Sequence, residues 1–290
     1  MSKSLMARLT AFYLKHFWRK PSSSQMRSQL EKMKDTQEPE YRIDRRYHFK
    51  NNIKTYSMGN MKYYVLNEHS ESKKTVIYIH GGAYVSQILS FHWKFISKLA
   101  EATGYRVVVP IYPLIPYGNY KIVYRLLTEL YKKFIKDDVI LMGDSAGGAL
   151  CLGLYLYWHK LEYSLPYRVV AFSPWVDIAL ENPEIENYRK KDPFLNIPRL
   201  MVCAEYWADG TEYKDFRLSP LFGDTSCLRN VTVFTGTDEI LYPDLQDFYS
   251  LIELNPGCKM IVGEGMNHVY PLFPIPEAKK AFKQVLEAIK

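Results

Sequence analysis

The first forty residues carry apolar positions at helical spacing. Within residues 4–20, Leu5, Leu9, Phe12 and His16 fall on one face beside Met6, Tyr13 and Phe17, which predicts an amphipathic helix. Pro21 and three serines end it, and residues 25–34 read as a second short helix. The period then changes. Residues 41–50 and 54–66 read as strands, the latter stretch folded back at Gly59-Asn60. From residue 74 short apolar runs alternate with longer helical patterns. The runs at 75–79, 106–111, 139–142, 169–172, 231–234 and 260–262 predict buried strands. Residues 92–103, 121–135, 146–159 and 277–290 predict helices, the first stopped by Gly104. Residues 175–228 break the rhythm with proline, asparagine, aromatic and charged residues, and predict short helices.

Strands that are apolar on both faces and alternate with helices predict an α/β fold with a mainly parallel central sheet, covered on both sides. Reactive groups in such sheets gather at the carboxyl ends of the strands. Composition changes this picture little. A chain of 290 residues, 47% hydrophobic, is expected to form one large domain over 1–290.

Charge changes it more. The formal net charge is +7, and Lys3, Arg8, Lys15, Arg19, Lys20 and Arg27 all precede the first acid, Glu31. The rest of the chain is nearly balanced and holds no basic-aromatic recognition module, so a nucleic-acid partner is not expected. Arg8 and Lys15 interrupt the apolar stretch, unlike a secretory leader. The simpler expectation is a cap helix whose apolar face covers the site and whose basic residues are solvated; weak contact with a membrane surface is the alternative. The longest apolar run, 146–158, falls short of the ~20 residues of a spanning helix. Four cysteines without a CxxC pair predict free thiols in a cytoplasmic protein, with neither zinc site nor disulfide framework.

The chemistry concentrates in a few places. Gly143-Asp144-Ser145-Ala146-Gly147 fits G-x-S-x-G between a predicted strand and a predicted helix. That is the setting of a nucleophile elbow, in which a tight turn lifts the serine Oγ clear of the sheet. A serine hydroxyl needs a base. Of seven histidines, only His268 follows a late strand, and it is the candidate to take the proton of Ser145 and return it to the leaving alcohol. Asp238 directly follows the strand at 231–234 and is the candidate orienting acid, with Glu239 and Asp244 as close competitors. The order Ser145, Asp238, His268 is the α/β-hydrolase order. Backbone donors for an oxyanion are expected from the loop after the strand at 75–79, namely Gly81, Gly82 and Ala83, together with Ala146 after the nucleophile. His80 is expected to orient that loop by hydrogen bonding.

Together these segments resemble the hormone-sensitive lipase family of α/β-hydrolases, most nearly its small microbial carboxylesterases. The matching pieces are HGGAYV (80–85), YPLIP (112–116), GDSAGG (143–148), SPWVD (173–177), SPL (219–221), GTDEILYPD (236–244) and NHVY (267–270). The resemblance implies hydrolysis of small to medium acyl esters through an acyl-serine, without metal or cofactor. It implies cap elements at about 1–40 and 175–228. Tyr84, Trp175, Phe194, Tyr206, Trp207 and Tyr270 are placed to line the acyl or alcohol pocket, with plain core packing the equal alternative for each. Asp144 would brace the elbow and Asp177 the start of the cap. Two positions depart from the pattern. Ala83 replaces a third glycine and is expected to avoid glycine-only backbone conformations. Tyr117 stands where the family carries an acid. An amidase or peptidase on the same fold, and a non-catalytic small-molecule receptor, are the rival readings. An exposed edge strand would support a homodimer.

Overall fold

The structure, a computed structural model, describes residues 3–18, 21–44, 47 and 52–290. Two helices lead, α1 (Leu5–His16) and α2 (Ser23–Lys34). A hairpin follows, β1 (Ile53–Met58) and β2 (Met61–Leu66), closed by the turn at Gly59 and Asn60. The alternating part runs β3 (Lys74–Ile79), α3 (Ser90–Thr103), β4 (Arg106–Ile111), α4 (Tyr120–Phe134), β5 (Asp138–Asp144), α5 (Ala146–Lys160) and β6 (Arg168–Phe172). An excursion carries α6 (Ile185–Tyr188) and α7 (Ile197–Ala208). The chain closes with β7 (Val231–Gly236), α8 (Tyr242–Ile252), β8 (Lys259–Gly263) and α9 (Pro276–Ala288).

The eight strands form one sheet in the order β1-β2-β4-β3-β5-β6-β7-β8. β3 to β8 pair in parallel, and the hairpin adds two antiparallel strands at one edge. The sheet explains the continuous apolar runs. Along β3, Ile77 and Ile79 enter the core on the α4 and α5 side, while Val76 and Tyr78 enter the core on the α3 and α9 side. Both faces are buried, so no polar alternation survives. β1, on the outer edge, keeps an exposed side. Of the strand expected over 41–50, residues 41–44 and 47 take no strand, and the others lie outside the described residues.

The first helix differs from expectation in length and orientation. It stops at His16; residues 17 and 18 turn away, and 19 and 20 lie outside the described residues. Ser4 caps it by accepting from the Ala7 amide, and the Ser4 amide and hydroxyl donate to the Glu277 carboxylate at 2.8 and 2.9 Å. Ala7 and Leu14 are the buried side chains, and α1 packs beside α9. The predicted apolar stripe therefore points to solvent: Leu5, Met6, Leu9, Phe12, Tyr13 and Phe17 are each more than half exposed. α2 instead packs on α7, burying Met26 and Leu30, with Arg27 paired to Glu205. Among the described residues no helix is long and apolar enough to cross a membrane. The four cysteines are free thiols.

Candidate active site

The strand β5 ends at Asp144, and the chain reverses at Ser145 into α5. Ser145 takes φ 51° and ψ −121°, outside the regions that L-residues favour. A strained residue of this kind persists only where its surroundings hold it. Here the Ser145 amide donates to the Phe172 carbonyl at 2.8 Å, and its carbonyl accepts from Trp175 and Ala149. The turn also needs glycine at 147, where a Cβ would lie 2.0 Å from the Ile79 carbonyl oxygen. The absent side chain lets the end of β3 pass directly over the elbow.

The loop after β3 is tied to the elbow by Asp144. This buried carboxylate accepts from the Tyr78 hydroxyl at 2.8 Å, the Gly81 amide at 3.1 Å and His92 Nε2 at 3.1 Å. His92 Nδ1 accepts from the Leu89 amide at 2.9 Å, so Nε2 carries the proton and donates. Burial works against ionisation of Asp144. His92, Tyr78 and Gly81 outweigh it and hold the carboxyl below its ordinary range. Asp144 thus braces the elbow, as expected, through partners that sequence reading did not identify.

That engagement corrects the candidate oxyanion donors. The Gly81 amide is committed to Asp144 and is not available to a ligand. Among the described residues nothing accepts from the amides of Gly82, Ala83 or Ala146. Ala83 also departs from expectation. It takes φ 52°, the left-handed region, after Gly82 at φ 123°. For a non-glycine residue that conformation costs of order 1–2 kcal/mol. His80 holds the loop from beneath: Nδ1 donates to the Gly81 carbonyl at 2.7 Å, and the ring stacks on Tyr112 at 4.6 Å. Burial pushes its pKa down to about 4, so it is a neutral orienting group.

His268 lies after β8 in a tight turn, with Val269 at φ 52°. Its Nδ1 is 2.5 Å from Glu239 Oε2. Glu239 is wholly buried, and its other oxygen accepts from Ser173 Oγ, Thr235 Oγ1 and the Gly236 amide at 2.6–2.9 Å. Asp238, the residue chosen from the sequence, is not at His268. Its carboxylate is part-exposed and pairs with Lys3 ahead of α1. The physical reason is the turn leaving β7. The Asp238 amide donates back to the Met266 carbonyl, which sends its side chain outward, and the next side chain points inward. The extra methylene of glutamate then lets the carboxylate reach the imidazole from that inner position. Asp244, the other competitor, is buried on α8, away from His268. Burial and the nearby Asp177 push its pKa up to about 7.

Ser145 and His268 line one cavity of 80 Å³, with Gly82, Ala83, His92 and Asp144 at its base. Its outer wall comes from Trp18 and from Phe194, Leu195, Asn196, Arg199 and Leu200. Phe194 is the one expected pocket aromatic found there, 5.8 Å from the His268 ring and edge-on to Trp18 at 5.4 Å. Buried Asp192 fixes it by accepting from the Phe194, Leu195 and Ile240 amides. The other expected aromatics are packing residues. Tyr84 stacks between Trp175 and Trp207 inside the core. Tyr206 faces outward to Glu31 and Lys34, and Tyr270 is buried beside β8. Asp177 accepts from the Ala179 amide and from Ser219 Oγ, which fixes the chain just beyond β6. Among the described residues no group of His, Cys, Asp and Glu is arranged to hold a metal ion.

Comparison with known proteins points the same way. The sequence profile of the alpha/beta hydrolase fold family matches residues 76–272. An esterase of Acinetobacter venetianus is 28% identical over 231 residues, covering 77% of this chain and 76% of that one. An acetyl-hydrolase of Streptomyces hygroscopicus is 27% identical over 219 residues, 72% and 73% of the two chains. The crystal structure of an esterase from the bacterial hormone-sensitive lipase family superposes with a TM-score of 0.82 at 23% identity, over 100% and 98% of the two chains.

Proposed function

Because this chain belongs to the α/β-hydrolase fold family and is a carboxylic ester hydrolase, we propose that it works through Ser145, His268 and Glu239 by way of an acyl-serine. The observation that carries this reading is the hydrogen bond between buried Glu239 and His268, which lines the same cavity as Ser145. An ionised glutamate only accepts, so Nδ1 bears the proton and Nε2 is the basic nitrogen. Nε2 takes the Ser145 proton as Oγ attacks the ester carbonyl. The resulting oxyanion accepts from the amides of Gly82, Ala83 and Ala146, whose hydrogen bonds strengthen as charge develops. The imidazolium, stabilised by Glu239, protonates the leaving alcohol. Water then repeats the sequence on the acyl-serine, with His268 again as base. No step calls on a metal or cofactor.

The walls support small to medium acyl esters. An 80 Å³ space bounded by Phe194, Leu200 and Trp18 suits a short apolar chain. α2, α7 and the excursion after β6 act as the cap. A fluorophosphonate probe is the direct test. It should add one phosphonyl group to Ser145, found by peptide mass spectrometry, and Ser145→Ala should abolish both labelling and ester turnover. An unlabelled Ser145 in folded protein would exclude the mechanism.

A further inference from the structure

We propose that α1 is a docking surface for an anionic lipid membrane. The stripe Leu5, Met6, Leu9, Phe12, Tyr13 follows the i, i+1, i+4, i+7, i+8 spacing of one helix face, and Phe17 extends it. All six residues are more than half exposed. Scattered apolar surface residues are ordinary, but a continuous aromatic and aliphatic row on one helix marks an interaction site. The helix is also held rigidly with that row outward. Ser4 is bonded to Glu277, Lys3 is paired with Asp238, and Ala7 and Leu14 are buried.

Charge identifies the occupant. Arg8 and Lys15 are exposed and stand together along one border of the stripe, and the sequence has no acid before Glu31. A second copy of α1 would set cations against cations with no carboxylate on the helix to answer them. An interface of lipid headgroups answers them directly, while the apolar row enters the acyl boundary. The location also suits the site. Trp18, which follows the helix, lines the cavity and contacts Phe194 beside His268. A surface bound along α1 therefore sits at the cavity wall.

The full chain should co-sediment with phosphatidylglycerol vesicles at least about tenfold more strongly than with phosphatidylcholine at low salt, with the difference shrinking at high salt. A Leu9→Glu/Phe12→Glu variant should lose at least about tenfold in partitioning, yet hydrolyse a soluble short-chain ester as the wild type does, since neither residue lines the cavity. Absence of vesicle binding, or equal binding by the variant, would overturn the proposal. So would a lipid-free wild-type dimer that the variant converts to monomer, because the stripe would then be a self-interface.

A separate observation assigns an anion subsite inside the cavity, and it rests on the esterase reading. Arg199, in the first turn of α7, lines the cavity. Among the described residues its buried Nε has no partner, and Nη2 reaches only Ser86 Oγ at 3.4 Å. The described residues include every Asp and Glu of the chain, and none pairs with it. A guanidinium so placed fits a carboxylate or phosphate oxygen on the substrate. The preferred esters therefore carry an anionic group a few atoms from the scissile bond. The probe pair is mono-p-nitrophenyl glutarate against p-nitrophenyl valerate, which differ in the terminal carboxylate. The ratio of their kcat/KM values should fall about tenfold in Arg199→Met and recover in part in Arg199→Lys. Turnover of valerate with a ratio unmoved by Arg199→Met would overturn the subsite alone. Turnover of neither ester would overturn the esterase reading and the subsite with it.

Discussion

Replacing Glu239 by glutamine should lower kcat for ester hydrolysis by about 10³–10⁴-fold, with KM within a few-fold, while Asp238→Asn should stay within about threefold of wild type. The asymmetry follows from what each carboxylate touches. Glu239 Oε2 lies 2.5 Å from His268 Nδ1, and Asp238 pairs with Lys3. Glutamine can still accept from Ser173, Thr235 and Gly236 through one oxygen, so the fold around it is preserved. Its amide nitrogen, however, is presented to Nδ1. The imidazole must then place its proton on Nε2, the nitrogen that should receive the Ser145 proton. Glu239→Asp would retain the charge but not the reach, and should fall between the two. Steady-state kinetics on a soluble short-chain ester, with thermal melts to show that each variant is folded, separates the cases. A large loss in Asp238→Asn with little loss in Glu239→Gln would return the role to Asp238.

These two neighbours also show where sequence reading stops. The succession of strands and helices along the chain, the elbow and the late histidine were legible because each depends on local chemistry. Buried parallel strands have to be apolar throughout, and the approach of β3 to the elbow requires Gly147. Choosing between adjacent acids depends instead on which side of a turn each leaves, and that is set by the Asp238 amide bonding to Met266, 28 residues away. Chain length held one usable hint, since Glu239 has the longer reach. Gly81 was missed as a structural donor for a similar reason: its amide could be assigned only once Asp144 was seen beneath it. The pocket aromatics failed more widely. A buried aromatic and a pocket aromatic share composition and spacing, and Tyr84, Trp175 and Trp207 stack on one another inside the core. Arg199 reaches the cavity from the segment with least periodic signal, and Trp18 from just past the end of α1.

The first helix is the opposite case. Its period was clear, and the orientation was not. An amphipathic helix beside a hydrophobic core is expected to turn its stripe inward. Here the small residues Ala7 and Ala11, with Leu14, fall on the opposite face, and the Ser4–Glu277 contact fixes the rotation. The larger apolar face remains in solvent. The excess charge of the chain and its exposed apolar surface thus occupy one element, which is why the two observations carry a joint physical meaning that neither has alone.

Asp144→Ala should destabilise the protein by about 3–5 kcal/mol and, at temperatures where it stays folded, lower kcat by at least about tenfold. The substitution removes the acceptor of three buried donors, Tyr78 Oη, the Gly81 amide and His92 Nε2. It also releases the loop that presents the Gly82 and Ala83 amides from the turn that presents Ser145, so the catalytic loss has a geometric cause beyond the loss of fold. Asp144→Asn should fall between, because its oxygen can keep Tyr78 and Gly81 while its NH2 group opposes the His92 proton. Urea unfolding followed by tryptophan fluorescence measures the gap, and its pH dependence identifies the origin. The folded-state pKa of Asp144 lies below the ordinary value, so ionisation stabilises the native state. That contribution is fully present above the unfolded-state carboxyl pKa of about 3.9 and is lost as pH falls through the lower folded value. The difference between wild type and Asp144→Ala should therefore be constant from neutral pH down to about 4 and narrow below it. A gap that stays constant into that acid range would mean the three donors, and not the carboxylate charge, carry the whole effect.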